Sequence, residues 1–171
     1  TEEGNPPYNA SMAILLRALL ENAEFRANFI NQFADQLNTA FVPDRVIAQI
    51  DSMETALVPE MQEHIDRYGR PISLTAWNSS VQTMRDFAVN RPGYQRQHVV
   101  EHFGLSGTAN VTLNVSDPAH GSIRISSILI NEETIGISGA PYPWTGIYFR
   151  DVPIAVKAIP APGYAFVGWT E

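Results

Sequence analysis

The stretch HVVEHFG, residues 98–104, carries the side chains best suited to chemistry in this chain. His98, Glu101 and His102 match H-x-x-E-H, the pattern of inverted zinc peptidases, in which two imidazoles on one helix face bind the metal and the carboxylate polarises its water. Zinc hydrolysis also needs a third protein ligand, and the acidic residues that follow all lie beyond a glycine-containing linker. We therefore predict no metal ligand here and interpret both histidines as solvated side chains near the carboxyl end of an amphipathic helix.

Other catalytic signatures are missing from the sequence. It contains neither G-x-x-x-x-G-K-[ST] nor G-x-G-x-x-G, so the common phosphate-binding loops are excluded. The GLSG stretch at residues 104–107 does not match a nucleophile elbow, and the absence of cysteine excludes a thiol nucleophile and thiolate metal sites. We predict no catalytic residue and no cofactor, and we expect that this chain by itself is not an enzyme.

Charge and hydropathy argue against two kinds of partner. The 171 residues carry a net charge of −7, and Lys157 is the one lysine among eleven basic residues. A nucleic-acid-binding protein would instead show a basic face. No apolar run approaches the roughly 20 residues of a membrane-spanning helix. We expect neither nucleic acid binding nor a membrane span.

The spacing of apolar residues changes near residue 105 and predicts an α+β protein of two units. Residues 1–105 repeat apolar side chains at helical spacing and predict about six helices, with new helices starting near Pro59 and Pro92. Asn22 is a candidate helix cap, and Gly69 and Gly104 are candidate helix ends. Residues 106–171 alternate apolar and polar side chains between glycine and proline turns, which predicts a small β-rich domain.

Four stretches of the second unit have the pattern of strands. Residues 110–116 and 122–130, joined by the turn DPAHG, predict a hairpin. Residues 147–159 hold a further strand, and residues 164–169 begin the last one. Because that last strand starts so close to residue 171, we expect the β domain to be truncated at its carboxyl end.

The aromatic residues of the β unit could bind sugar rings or fill a core. Each large ring buries about 150–250 Å² when it packs inside a domain. We predict that the core contains Tyr148, Phe149, Phe166 and Trp169. Tyr142 and Trp144, which lie next to prolines in a predicted loop, are expected to be exposed and are the candidate ligand-binding residues.

Two parts of the sequence resemble known families. The run LLENAEFRANFINQFADQLNTAFVPDRV, followed by an I-D…PEM helix pair and by DFAVNRPGYQRQHVVEHFGL, resembles the closing helices of the CotH family of spore-coat-protein-H-like atypical protein kinases. The likeness covers about residues 15–105. The later stretch, which ends in GYAFVGW, is similar to divergent internalin-type B repeats, small β-grasp-like modules, and to the β modules that follow CotH domains in secreted bacterial proteins.

The resemblance implies a role but no catalytic residue, because the nucleotide- and metal-binding residues of the family lie upstream of the matched segment. We expect a non-catalytic C-terminal fragment of a CotH-like bacterial protein, secreted or at the cell surface. Its helices would brace the kinase-like lobe of the same protein, and its β module would act as a spacer or bind another protein or a polysaccharide. Two alternatives stay open: a carbohydrate- or surface-binding module that uses Tyr142 and Trp144, and an enzyme, either part of an atypical kinase whose catalytic residues lie upstream or a zinc hydrolase that uses His98 and His102.

Overall fold

The computed structural model describes residues 10–170, in which helices precede short strands. The helices are α1 (Ala10–Glu21), α2 (Ala23–Asn38), α3 (Pro43–Tyr68) and α4 (Leu74–Phe103). The strands are β1 (Thr108–Leu113), β2 (Gly121–Ile125), β3 (Ile128–Ile130), β4 (Trp144–Phe149) and β5 (Val156–Pro160), with a 3-10 turn at Pro118–His120. The predicted α+β class is confirmed. Among the helices of this region, none is both long enough and apolar enough to cross a membrane.

The prediction of about six helices is wrong, because residues 10–170 contain four. α3 continues through Pro59 and α4 through Pro92, the two prolines expected to begin new helices. A proline inside a helix removes one backbone hydrogen bond and costs about 3 kcal/mol. The packing of α3 along α4 offsets this cost, and Pro92 is itself buried. The helices end as predicted at Gly69 and Gly104, both in the left-handed conformation.

α2 and the pairing of α3 with α4 depend on polar contacts as well as on apolar packing. The side chain of Asn22 accepts a hydrogen bond from Phe25 N at 2.9 Å, which confirms the predicted cap of α2. Arg85 of α4 donates to Asp51 Oδ1 at 2.8 Å and also binds Glu54, both on α3. This ion-paired arginine joins the two long helices.

The predicted hairpin of residues 110–116 with 122–130 is wrong. β1 pairs antiparallel with β4, and the second sheet has the order β3-β2-β5, also antiparallel. The stretch predicted as one strand at 122–130 is two strands with a turn at Ser126, and the stretch at 147–159 is also divided. Alternation of side chains indicates that a segment is extended but not which segment it pairs with. A β-grasp-like arrangement stays a prediction.

One hydrophobic cluster contains side chains from the helices and from the strands. Its buried members are Ile30, Ala34, Val99, Ile123, Ile125, Ile128, Ile130, Trp144, Tyr148 and Phe149. The core positions predicted for Tyr148 and Phe149 are confirmed. Those predicted for Phe166 and Trp169 are wrong, since both rings are about half exposed. Residues 164–169 form no strand, so no sheet places these two rings in the interior.

The loop between β3 and β4 approaches the end of α2 at Gly136. This residue has φ +85°, and a Cβ there would lie 2.5 Å from Thr39 O. We expect Gly136→Ala to lower the free energy of unfolding by about 2 kcal/mol, through backbone strain and the forced separation of the loop from α2. Urea denaturation measures the loss. Gly139→Ala is the matched control because Gly139 has φ +93° but open space around it, so equal losses would contradict the contact.

Candidate interaction site

α2 presents a polar stripe to the β unit, formed by Asn31, Asp35 and Asn38. Their spacing of four and three residues places them along one side of the helix. Asn31 Nδ2 donates to Pro153 O at 2.8 Å, in the turn between β4 and β5. Each member of the stripe therefore contacts a segment more than ninety residues away in sequence.

Asp35 is the most buried polar residue of the stripe, with 1% of its surface exposed. Its Oδ1 accepts a hydrogen bond from Tyr148 Oη at 2.7 Å, and its Oδ2 accepts from Ser127 N at 2.9 Å and Ser127 Oγ at 2.6 Å. Burial, reinforced by the adjacent Asp35 carboxylate, raises the pKa of Tyr148 far above that of a free phenol. Tyr148 therefore stays protonated and donates, and the carboxylate has partners on β4 of one sheet and in the β2–β3 turn of the other.

Asn38 pairs with the backbone of β4 as a neighbouring strand would. Its Nδ2 donates to Ile147 O at 3.0 Å, and its Oδ1 accepts from Ile147 N at 3.0 Å. A nitrogen of Arg96, on α4, donates to the same Oδ1 at 3.0 Å and to Leu37 O at 3.2 Å. Burial lowers the pKa of the Arg96 guanidinium, which still carries its proton at neutral pH. Asn38 thus holds the edge of β4, and Arg96 of α4 holds the Asn38 side chain in place.

An apolar groove lies on the opposite side of α2, between α2, the start of α3 and the middle of α4. Its volume is about 390 Å³, and its apolar walls include Phe33, Leu37, Phe41, Val46, Phe87 and Pro92. The Arg91 guanidinium lies 5.7 Å from the centre of the Phe87 ring at the border of this groove. The groove has the composition of a surface that binds another hydrophobic segment.

Several helices expose large apolar side chains to solvent. On α1 these are Ile14, Leu15, Leu16 and Leu19, and on α3 they are Met53, Leu57 and Val58. Single exposed apolar residues are common, but several close together on one helix are typical of a surface that contacts another protein or domain. We take these helix faces together with the groove as the candidate interaction site.

The structure does not place Tyr142 and Trp144 as expected. Trp144 is 7% exposed, since β4 begins at this residue and directs Trp144, Gly146 and Tyr148 to one buried face. Tyr142 is partly buried, and its hydroxyl accepts from Ile123 N at 2.7 Å and donates to Ile130 O at 2.8 Å. The expectation that both are exposed is therefore wrong. Ligand binding by these rings stays a prediction, and their burial gives it no support.

The H-x-x-E-H side chains lie on the last turns of α4. His98, Glu101 and His102 are all exposed, and Glu101 accepts a hydrogen bond from Gln97 at 2.8 Å. The His102 ring packs edge-on against Phe103, 4.7 Å between centres. Within residues 10–170, no three His, Asp or Glu side chains are grouped closely enough to hold a metal ion.

The comparison with known proteins concerns the helices. A family model described as CotH kinase protein matches residues 1–95, which include α1, α2, α3 and most of α4. No curated protein and no solved structure matches the chain. The matched segment covers more than half of the 171 residues and contains the polar stripe of α2 and the apolar groove. The chain therefore belongs to the CotH kinase protein family.

Proposed function

We propose that this chain is a non-catalytic C-terminal part of a secreted or cell-surface CotH-like protein. In this proposal the helices brace the kinase-like lobe of the same protein, and the β unit serves as a spacer or interaction module. The observation that supports it best is the polar stripe of α2, which joins the helices matched by the family to β4 and to the turns around Ser127 and Pro153. These hydrogen bonds hold the β unit against α2, so a spacer or interaction module would be firmly attached to the helices.

In this proposal the kinase-like lobe packs against the exposed apolar side chains of the helices. Burying a Leu or Ile side chain that is otherwise exposed stabilises by about 1.5–3 kcal/mol. α1 alone exposes Ile14, Leu15 and Leu19 by 40% or more of their surface. Three such side chains, together with the apolar groove, give enough driving force for a stable contact within one protein. Apart from Arg91 at its border, the side chains that line the groove are uncharged and mostly apolar, so its occupant in this proposal is a hydrophobic helix face of the lobe.

The proposal assigns nucleotide binding and phosphoryl transfer to residues outside this chain. Isothermal titration of the 171-residue protein with ATP and Mg²⁺ is expected to give no binding heat beyond dilution. The reason is that the chain contains neither a phosphate-binding loop nor, in residues 10–170, a cluster of metal-binding side chains. Saturable binding with a Kd below about 1 mM would contradict the non-catalytic assignment.

The bracing contact is tested by hydroxyl-radical footprinting of this chain alone and within the complete gene product. We expect oxidation of Leu15, Leu19 and Phe87 to fall at least about fivefold in the complete protein, because these side chains become buried against the lobe. Ile135, exposed in the loop before β4, is the internal control and should react equally in both. Equal oxidation of all four residues in the two proteins would contradict the proposed brace.

A further inference from the structure

A second cavity lies in the β unit, away from the apolar groove. This aromatic cleft has a volume of about 370 Å³ and runs between residues 114–122 on one side and residues 158–170 on the other. Its volume is within the range of about 300–1,000 Å³ found for small-molecule sites. The proposed brace does not use this cleft, and no residue of the sequence-based candidate pair lines it.

Two pairs of rings line the aromatic cleft. His120 stacks on Tyr164 with 4.1 Å between ring centres, and Phe166 lies 5.0 Å from Trp169. Tyr164, Phe166 and Trp169 are each about half exposed. The same unit buries Trp144, Tyr148 and Phe149 in its core, so a core was available for large rings. A cluster of exposed rings beside a filled core is typical of a binding surface.

Polar side chains lie among these rings. Asp117 Oδ1 accepts from Ala119 N at 2.8 Å, and its Oδ2 is 3.4 Å from His120 Nε2, so the carboxylate is held in place at the wall of the cleft. Asn114, Ser116 and Ser122 add an amide and two hydroxyl groups to the lining. The wall is therefore mixed, with flat apolar faces next to hydrogen-bond donors and acceptors.

Backbone contacts hold the part of the cleft around His120 and Tyr164 in place. Ala161 N donates to His120 O at 2.9 Å, and Tyr164 N donates to Ala161 O at 3.0 Å. The first contact joins the end of β5 to the turn before β2, and the second places the Tyr164 ring over His120. A site ordered before its ligand arrives loses less conformational entropy on binding.

We propose that the aromatic cleft binds a neutral oligosaccharide, with one pyranose ring stacked on Trp169. A pyranose has flat C–H faces that fit aromatic rings and equatorial hydroxyl groups that fit Asp117 and Asn114 at the wall. Asp117 and the net charge of −7 disfavour uronic acids and sialic acids by like-charge repulsion. The accessible surface of the apolar groove is mainly apolar, although Gln36, Arg91 and Gln95 border it, so we expect the two sites to differ in the ligand they accept.

Binding is tested by isothermal titration with soluble tetrasaccharides of β-1,4-glucose, β-1,4-N-acetylglucosamine, α-1,4-glucose and β-1,4-mannose. We expect at least one of them to bind, and Trp169→Ala to weaken that binding by about tenfold or more. Tyr94→Ala is the matched control, because Tyr94 is an exposed ring on α4 outside the cleft, and it should leave the Kd unchanged. Circular dichroism confirms that each variant is folded.

A second measurement locates the ligand without changing the cleft. In a Trp77→Phe background the two remaining tryptophans are Trp144, which is buried, and Trp169, which is exposed, so a bound sugar should reduce acrylamide quenching of the exposed fraction of tryptophan fluorescence. No binding of any of the four sugars at up to about 10 mM would overturn the proposal, as would binding that Trp169→Ala leaves unchanged. Neither result bears on the brace, which is tested by footprinting of the helices.

Discussion

Replacing Asp35 by alanine should lower the free energy of unfolding by about 3–4 kcal/mol. The carboxylate accepts hydrogen bonds from Tyr148 Oη, Ser127 Oγ and Ser127 N at 2.6–2.9 Å. Its loss leaves the buried phenol without an acceptor, and each buried donor without a partner costs about 1–3 kcal/mol. Ser127 is exposed to solvent, so water replaces part of the hydrogen bonding that Ser127 loses. Urea denaturation followed by circular dichroism measures the difference.

Two further variants separate the buried contact from the loss of a charge. Asp66→Ala removes an exposed carboxylate of α3 and should change the free energy of unfolding by less than about 0.5 kcal/mol. Tyr148→Phe removes the phenol hydroxyl and keeps the ring in the core. In the double variant with Asp35→Ala, we expect a coupling energy of about 1–2 kcal/mol. Additive losses would show that the phenol and the carboxylate do not depend on each other.

The sequence predicted the cap and the ends of the helices better than it predicted whether a helix continues through a proline. The cap at Asn22 and the ends at Gly69 and Gly104 depend on a few neighbouring residues, and all three are as predicted. Pro59 and Pro92 were expected to begin new helices because each interrupts a local hydrogen-bond pattern. Whether a helix continues through a proline is decided by the packing on either side of it. That packing involves distant parts of the chain and leaves no local signal.

For the strands, too, the sequence indicated which segments are extended but not which segments pair with each other. Alternating side chains identified most of the extended segments, but the partner of β1 is β4, more than thirty residues away. Trp144 illustrates the consequence. Its neighbouring prolines favoured a loop and exposure, whereas pairing with Leu113 makes it the first residue of β4 and buries its ring. The exposed rings belong instead to residues 164–169, where the sequence predicted a strand.

The polar stripe of α2 could not be told from an ordinary solvated helix side in the sequence. Asn31, Asp35 and Asn38 lie on the side of α2 opposite Phe33 and Leu37, where polar side chains are expected to face water. Asp35 is nonetheless buried, because the β unit covers this side of the helix. Its partners, Ser127 and Tyr148, lie about a hundred residues away and could not be named from spacing. The family resemblance likewise indicated the helices and not the contacts that join them to the strands.

Ile125→Ala should lower the free energy of unfolding by about 3–4 kcal/mol. Ile125 is fully buried, and truncating such a side chain to alanine removes its apolar burial and leaves a cavity, with typical losses of about 2–5 kcal/mol. Ile135→Ala makes the same chemical change at a residue that is 54% exposed, and should cost less than about 1 kcal/mol. Urea denaturation of both variants measures the two losses. Equal losses would mean that the buried cluster is not the main source of stability.

The same substitution should destabilise the helices and the strands together. Ile125 belongs to one cluster with Ile30 of α2 and Val99 of α4, so a cavity at β2 weakens packing on both sides of the boundary predicted at residue 105. Far-UV circular dichroism reports the helices, and Trp144 fluorescence, in a background with Trp77 and Trp169 replaced by phenylalanine, reports β4. Because one core serves both, we expect the two urea midpoints to coincide before the substitution and to fall by the same amount after it. If only the Trp144 midpoint moves, the β unit unfolds independently of the helices, and the polar stripe of α2 joins two domains that are each stable alone.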